Sequence, residues 1–194
     1  MLRLLIQSTL CLLVMTALLG IVYPLVVTGI AEVAFPHQAH GSLIVREGQA
    51  AGSELVGQSF ADPRYFWSRP SATTRDSKPW PYDGLNSGGS NLGPLNPDLA
   101  KQVAERVTAL QSADPPATDP PPVDLVTSSG SGLDPHISIA SARYQAGRVA
   151  RVRGLQLQQV MDLIDQHTQG RTLGFLGEPR VNVLELNLAL DVLK

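Results

Sequence analysis

At 194 residues, with 43% hydrophobic and 16% charged side chains, the chain can bury one ordinary core beside any membrane segment, and it is too apolar to be disordered throughout. A formal net charge of -2, with 15 Lys and Arg dispersed along the sequence, excludes the basic face that nucleic acid requires. The single cysteine, Cys11, lies in the apolar N-terminal stretch and leaves the rest of the chain without a thiol for a disulfide, a thiolate metal site or a nucleophile.

From Leu4 to Ala31, between Arg3 and Glu32, no side chain is charged. A helix of about 28 residues rising about 1.5 Å each would run about 42 Å, more than the roughly 30 Å hydrocarbon core of a bilayer. The rival reading is a cleavable signal peptide, whose apolar region is about 7 to 15 residues long and is followed by a small-x-small site. No such site follows, so an uncleaved anchor is expected. Arg3 precedes the span and the next basic residue, Arg46, comes well after it. The positive-inside rule then puts the N-terminus in the cytoplasm and the remainder outside. Thr9, Thr16 and Gly20 recur along the span, and Thr16 with Gly20 makes a small-xxx-small pair that lets another helix approach closely. Pro24 removes one helical bond, which a neighbouring helix tolerates better than bare lipid does. Together these four residues form a candidate docking face, although small residues are frequent in any such span.

Beyond Pro36 the chain is rich in Gly, Ser, Pro and aromatic residues as far as Pro97. Short apolar runs, Ser42 to Val45 and Glu54 to Val56, read as strands among ordered loops. Tyr65, Phe66 and Trp67, with Arg64 and Arg69 nearby, could stack on a base or sugar, but three consecutive aromatics in a chain this poor in them read better as a packing anchor. Asn96-Pro97 predicts a helix start, with Leu99, Val103, Val107 and Leu110 on one face. Asp114 to Pro122 predicts a stiff, exposed, polyproline-like connector. A second helix is expected from Asp134-Pro135 towards Ala150, and a third, carrying Leu157, Val160, Met161 and Ile164, between Gly154 and Gly170. Val181 to Leu193 suits either a strand or a helix buried all round.

Signatures of catalysis are absent: no GxxxxGK[ST] loop, no HExxH helix, no GxSxG elbow, no SxxK, and no Asp-Lys-Thr-Gly-Thr phosphorylation sequence. His37 and His40 form a pair without a third metal ligand. The runs Ser87 to Gly93 and Ser128 to Pro135 could cradle an anion at a helix start, but without a lysine they read as tight turns. An anchored hydrolase using Ser129 or Ser131 with His136 lacks an identifiable orienting group and oxyanion site. A solitary sensor or solute-binding module is a further alternative. No Thr-Val-Gly-Tyr-Gly ion filter is present.

Five stretches, in order along almost the whole chain, carry a resemblance: Tyr23 to Ile30; Tyr65-Phe66-Trp67-Ser68-Arg69-Pro70-Ser71-Ala72; Ser87-Gly88-Gly89-Ser90-Asn91-Leu92-Gly93-Pro94; Ser129-Gly130-Ser131-Gly132-Leu133-Asp134-Pro135-His136-Ile137-Ser138; and Arg180 to Leu184. The sequence resembles the KdpC family, the C subunit of the bacterial Kdp potassium-transporting ATPase. The resemblance implies an α+β architecture, with one transmembrane helix over residues 1–35 and one mixed α/β extracytoplasmic domain over 36–194 containing the Pro-rich connector 114–122. It implies a single-pass protein of the bacterial inner membrane whose soluble domain is periplasmic or extracellular. The implied partners are a potassium-channel-like subunit, a P-type ATPase subunit and a small helical subunit, which together import potassium using ATP. The subunit is then not itself catalytic. In the family it is described as a catalytic chaperone that raises the ATP affinity of the ATPase subunit, with a glutamine that matches Gln145 linked to nucleotide contact. No cofactor is expected on the chain itself, and ATP would be met through the ATPase subunit. An outer domain is separated from the ATPase domains by the bilayer, so the span docking through its Thr16 and Gly20 face and the domain bracing the potassium entrance is the mechanism that fits this topology.

Overall fold

A computed structural model of the protein describes residues 1–75 and 78–193. The chain divides into two compact units, residues 1–51 and the part from Gly52 onward.

In the first unit, α1 (Leu2–Ala17), a π-helical turn over Leu18–Val22 and α2 (Tyr23–Ala34) run on without a break. The product is one apolar helix, Leu2–Ala34, long enough to cross a membrane. The wide turn sits beside Pro24, which has no N–H and whose ring crowds the carbonyl four residues back. The Tyr23 N–H accordingly bonds the Leu18 carbonyl, five residues back rather than four. Thr9 and Thr16 precede the turn, Gly20 lies inside it and Pro24 just beyond it; the wider turn advances fewer degrees per residue than an α-helix and so keeps Gly20 close to the line of Thr16. After the short α3 (Pro36–Ala39) come β1 (Leu43–Arg46) and β2 (Gln49–Ser53), paired across a two-residue turn. Glu47 and Gly48 there have φ of 51° and 77°, the positive values that match hairpin twist.

The second unit opens with long ordered loops and the small ribbon β3 (Thr74–Arg75) and β4 (Lys78–Pro81). α4 (Pro97–Ala113) begins where Asn96 predicts, its Oδ1 accepting the Asp98 N–H at 2.9 Å. There follow α5 (Val123–Val126), β5 (His136–Ser138), α6 (Ile139–Arg153), α7 (Leu157–Gln166), β6 (Thr168–Gln169), β7 (Arg180–Asn182) and α8 (Val183–Leu190). β7 is the centre of an antiparallel sheet ordered β5-β7-β6, with Ile137 opposite Val181 and Thr168 also opposite Val181. Against it pack α6, through the small face Ala142, Ala146 and Ala150, and α7 and α8, through Val160, Ile164, Leu186 and Leu190. Alanines let the helices close on the sheet, and the branched residues fill the remainder. Gly154, with φ of 69°, ends α6 in the left-handed conformation that glycine adopts most readily. The mixed α+β class with a single apolar N-terminal helix is as the sequence implies.

Four local expectations are corrected. The helix expected from Asp134-Pro135 begins instead at Ile139, capped by Ser138, because residues 136–138 are taken into the sheet as β5. The Asp134 carboxylate accepts the His136 N–H at 3.0 Å, closing a turn rather than capping a helix. Val181 to Leu193 is neither all strand nor all helix: β7 ends at Asn182, whose Oδ1 accepts the Leu184 and Glu185 N–H groups and starts α8. Glu54 to Val56 forms a turn in place of a strand. The Pro-rich connector is irregular as expected, but its first residue is not exposed: Asp114 is buried, its carboxylate 2.5 Å from the Arg151 guanidinium.

Candidate functional site

Four of the five motif stretches lie in the second unit and close on one another. The centre is the loop Tyr65 to Trp67, whose backbone has no sheet partner of its own. Two side-chain amides take that role. Asn187 of α8 accepts the Phe66 N–H at 2.8 Å and donates to the Phe66 carbonyl at 3.0 Å. Gln145 of α6 does the same for Trp67, at 2.8 and 3.1 Å. Each carboxamide satisfies both polar groups of one residue, as a neighbouring strand would. Phe66 is thereby held fully buried.

Arg148, only 2% exposed, completes the bracket. Its guanidinium donates to the Pro63 and Tyr65 carbonyls and to Gln145 Oε1, the last at 2.7 Å, and lies 4.4 Å from the Trp67 ring centroid. Burial pulls Arg148 down to about 10, yet it stays charged at neutral pH. Gln145 is 1% exposed, and its Oε1 and Nε2 are both engaged by protein.

Next to the bracket, Arg69 donates to Asp134 Oδ2 at 2.9 Å, and Asp134 Oδ1 faces His136 Nδ1 at 3.4 Å. Burial by itself would raise the Asp134 pKa, but hydrogen bonds from the His136 side chain and backbone and from Arg69 outweigh it and hold the carboxyl below its ordinary value. Tyr82 Oη donates to the Arg69 carbonyl, and burial pushes this phenol up to about 12. The two glycine runs meet in this region. Gly88 N–H and Ser87 Oγ both donate to the Ser131 carbonyl, at 2.8 and 3.1 Å. Ser71 Oγ donates to the Gly132 carbonyl at 2.6 Å, and Ser129 N–H to the Pro70 carbonyl at 3.3 Å. Gly132, at φ of 69°, has room only for hydrogen: a Cβ would meet Thr73 Cγ2 and would stand 2.5 Å from the Gly88 carbonyl. Gly89 and Gly130 pass face to face, with 3.1 Å from a Cβ on Gly89 to the Gly130 carbonyl oxygen. Asn91 adopts φ of 52° on the surface, and the Pro135 carbonyl accepts the Val183 N–H at 3.0 Å, joining the stretch Ser129 to Ser138 to the stretch Arg180 to Leu184. The glycine runs are therefore turns locked together, and the second leads into a strand.

Sequence reasoning passed over Asn187, Arg148 and Asp124. Asp124 Oδ2 accepts the Ser138 N–H at 2.8 Å and its Oδ1 accepts the Ser141 hydroxyl at 2.6 Å, fixing the start of α6. The available signal was a polar residue with apolar neighbours, Asn187 between Leu186 and Leu188 and Arg148 before Val149 and Ala150, and it was weak because Glu185, Gln145 and Arg151 stand in the same helices. Beside the bracket lies a cleft of about 290 Å³ lined by Phe60, Trp67, Arg69, Tyr82, Arg106 and Leu110 among others. Burial lowers the Arg106 pKa, and its guanidinium donates to the Val126 carbonyl at 2.9 Å. In the first unit His40 Nε2 lies 3.6 Å from Glu32, and a Cβ on Gly20 would touch nothing within 4 Å. Among the described residues no three His, Cys, Asp or Glu side chains converge as a metal site.

A family model described as KdpC, K+-transporting ATPase, c chain, matches residues 5–192. The chain is 62% identical over 180 residues to the potassium-transporting ATPase KdpC subunit of Sorangium cellulosum (strain So ce56), covering 93% of each. It is 59% identical over 187 residues to the subunit of the same description from Methylococcus capsulatus (strain ATCC 33009 / NCIMB 11132 / Bath), covering 96% of each. It is 60% identical over 181 residues to that of Polaromonas naphthalenivorans (strain CJ2), covering 93% of this chain and 90% of the relative.

Proposed function

The chain belongs to the KdpC family of potassium-transporting ATPase subunits, and from that membership we propose that it is a non-catalytic accessory subunit acting through a rigid outer domain. The observation that supports this most directly is the paired bracket of Gln145 and Asn187 on Phe66 and Trp67. Motif residues that bond one another are fitted to hold a shape. On this reading Gln145 is a positioning residue and not a nucleotide contact, since a nucleotide reaching it would have to break three protein hydrogen bonds and displace the loop that buries Phe66. Any effect on the ATP affinity of the ATPase subunit would then travel through the membrane subunits.

The rest of the proposal follows the charge pattern. Arg3 keeps the N-terminus in the cytoplasm, and the domain lies in the periplasm or its equivalent, bracing the potassium entrance beside a channel-like subunit. The span docks a partner helix through the face containing Thr16 and Gly20, with Thr9 and Pro24 at its margins. The P-type ATPase subunit and a small helical subunit complete the assembly.

The deciding experiment is labelling of Gln158→Cys, an exposed position on α7, in a Cys11→Ser background in intact cells. A maleimide that cannot cross the inner membrane should label it. Protection relieved only by lysis would put the domain in the cytoplasm, restore direct nucleotide contact as the better reading and overturn the bracing role.

A further inference from the structure

Between β6 and β7 the chain forms a closed loop, residues 171–178, whose tip displays three large apolar side chains. Leu173 is 80% exposed, Phe175 68% and Leu176 49%. Single exposed apolar residues are ordinary on any surface, but three within four residues at one tip form a patch.

The loop is stiffly built. Thr172 and Leu176 exchange both backbone hydrogen bonds at 2.9 Å, Gly174 N–H donates to the Arg171 carbonyl at 3.1 Å, and Phe175 N–H to the Thr172 carbonyl at 3.3 Å. Arg171 clasps Glu178 across the base through both carboxylate oxygens, at 2.9 and 2.7 Å. Leu173 adopts φ of 56°, a region where Gly and Asn are at home and a leucine is strained. Such a leucine gives up backbone comfort and receives almost no burial within its own domain. Both losses are made good if the side chain is buried elsewhere.

We propose that residues 171–178 are a docking finger that seats Leu173, Phe175 and Leu176 in an apolar socket on another subunit of the same transport complex. The inference rests on the accessory-subunit reading above. A finger already fixed by its own hydrogen bonds loses little entropy on docking. An apolar centre with a polar margin, here the Arg171–Glu178 pair, is the anatomy of a protein interface. A lipid surface fits less well: tips that enter anionic headgroups carry uncompensated cations, whereas here the arginine is neutralised by a carboxylate whose side chain is 78% exposed.

The test uses the complete membrane complex. A photoreactive phenylalanine analogue at position 175 should cross-link to one other subunit, while the same group at Gln158 should not. Phe175→Ser should lower recovery of partner subunits tenfold or more with unchanged melting of the chain. Leu173→Asn, which suits the left-handed backbone and replaces an exposed side chain, should act in the same direction with melting unchanged. Cross-links to lipid alone, or full recovery of partners by both variants, would overturn the finger while the accessory reading stood. Failure of the unaltered chain to recover any partner would overturn both.

Discussion

Gln145 and Asn187 each lay a single carboxamide across both polar groups of one backbone residue, so their removal leaves a buried N–H and a buried carbonyl without partners. Each orphaned group costs roughly 1–3 kcal/mol. Gln145→Ala should therefore destabilise the chain by about 3 kcal/mol, seen as a melting temperature lower by roughly 6–12 °C for a domain of this size. At a temperature where the variant is still folded, the apparent KM for ATP of the assembled complex should be unchanged. A raised KM with unchanged melting would make Gln145 a nucleotide contact. Tyr82 offers a second reading at this scale. Its folded pKa, about 12, exceeds the unfolded value near 10, so its contribution is fully present below pH 10 and is lost as pH rises towards 12. Burial also raises Tyr144, so tyrosinate absorbance should show late-titrating phenols of which Tyr82→Phe removes the one near pH 12, and stability should fall by on the order of 2 kcal/mol across that window.

At the scale of elements, two glycines give opposite predictions. Gly132 is enclosed and left-handed, so Gly132→Ala should force apart the stretches that carry Thr73 and Gly88 and lower stability by roughly 2–4 kcal/mol, measurable by urea unfolding. Gly20 is open on its own helix, so Gly20→Leu should leave the span intact and instead reduce co-purification of partner subunits. Undiminished recovery would remove Gly20 from the docking face. The elements legible from sequence were those with local signals: the apolar span, α4 with its Asn-Pro start, and α7 between two glycines. The start of α6 was misplaced because Asp134-Pro135 looks locally like a cap, whereas pairing with Arg180 to Asn182 makes His136 to Ser138 a strand. A partner more than 40 residues away leaves no trace in local periodicity.

For the whole molecule, the family and the α+β class were readable because the motif stretches survive in order, yet their purpose was not. Sequence shows that Tyr65 to Ala72, Ser87 to Pro94 and Ser129 to Ser138 are distinctive, but only the fold shows them bonded to each other. Asn187 and Arg148 were missed for the same reason, since a buried polar side chain acquires meaning only from what faces it. Acid should expose this common dependence. Through Arg69, Asp134 joins the stretch Tyr65 to Ala72 to the stretch Ser129 to Ser138, and its folded pKa lies below the unfolded value, so its contribution holds above about pH 4 and fades as pH falls through the folded value. Asp134→Asn should flatten that part of the acid unfolding profile.

The bracket on Phe66 has a consequence for biosynthesis. Asn187 is made 121 residues after the residue it clasps. While the ribosome delivers that intervening length, the aromatic loop has its recognition groups but not its clasp. A chain arrested before α8 would display Phe66 to chaperones and proteases, so completion of the last helix acts as a checkpoint on which nascent copies survive.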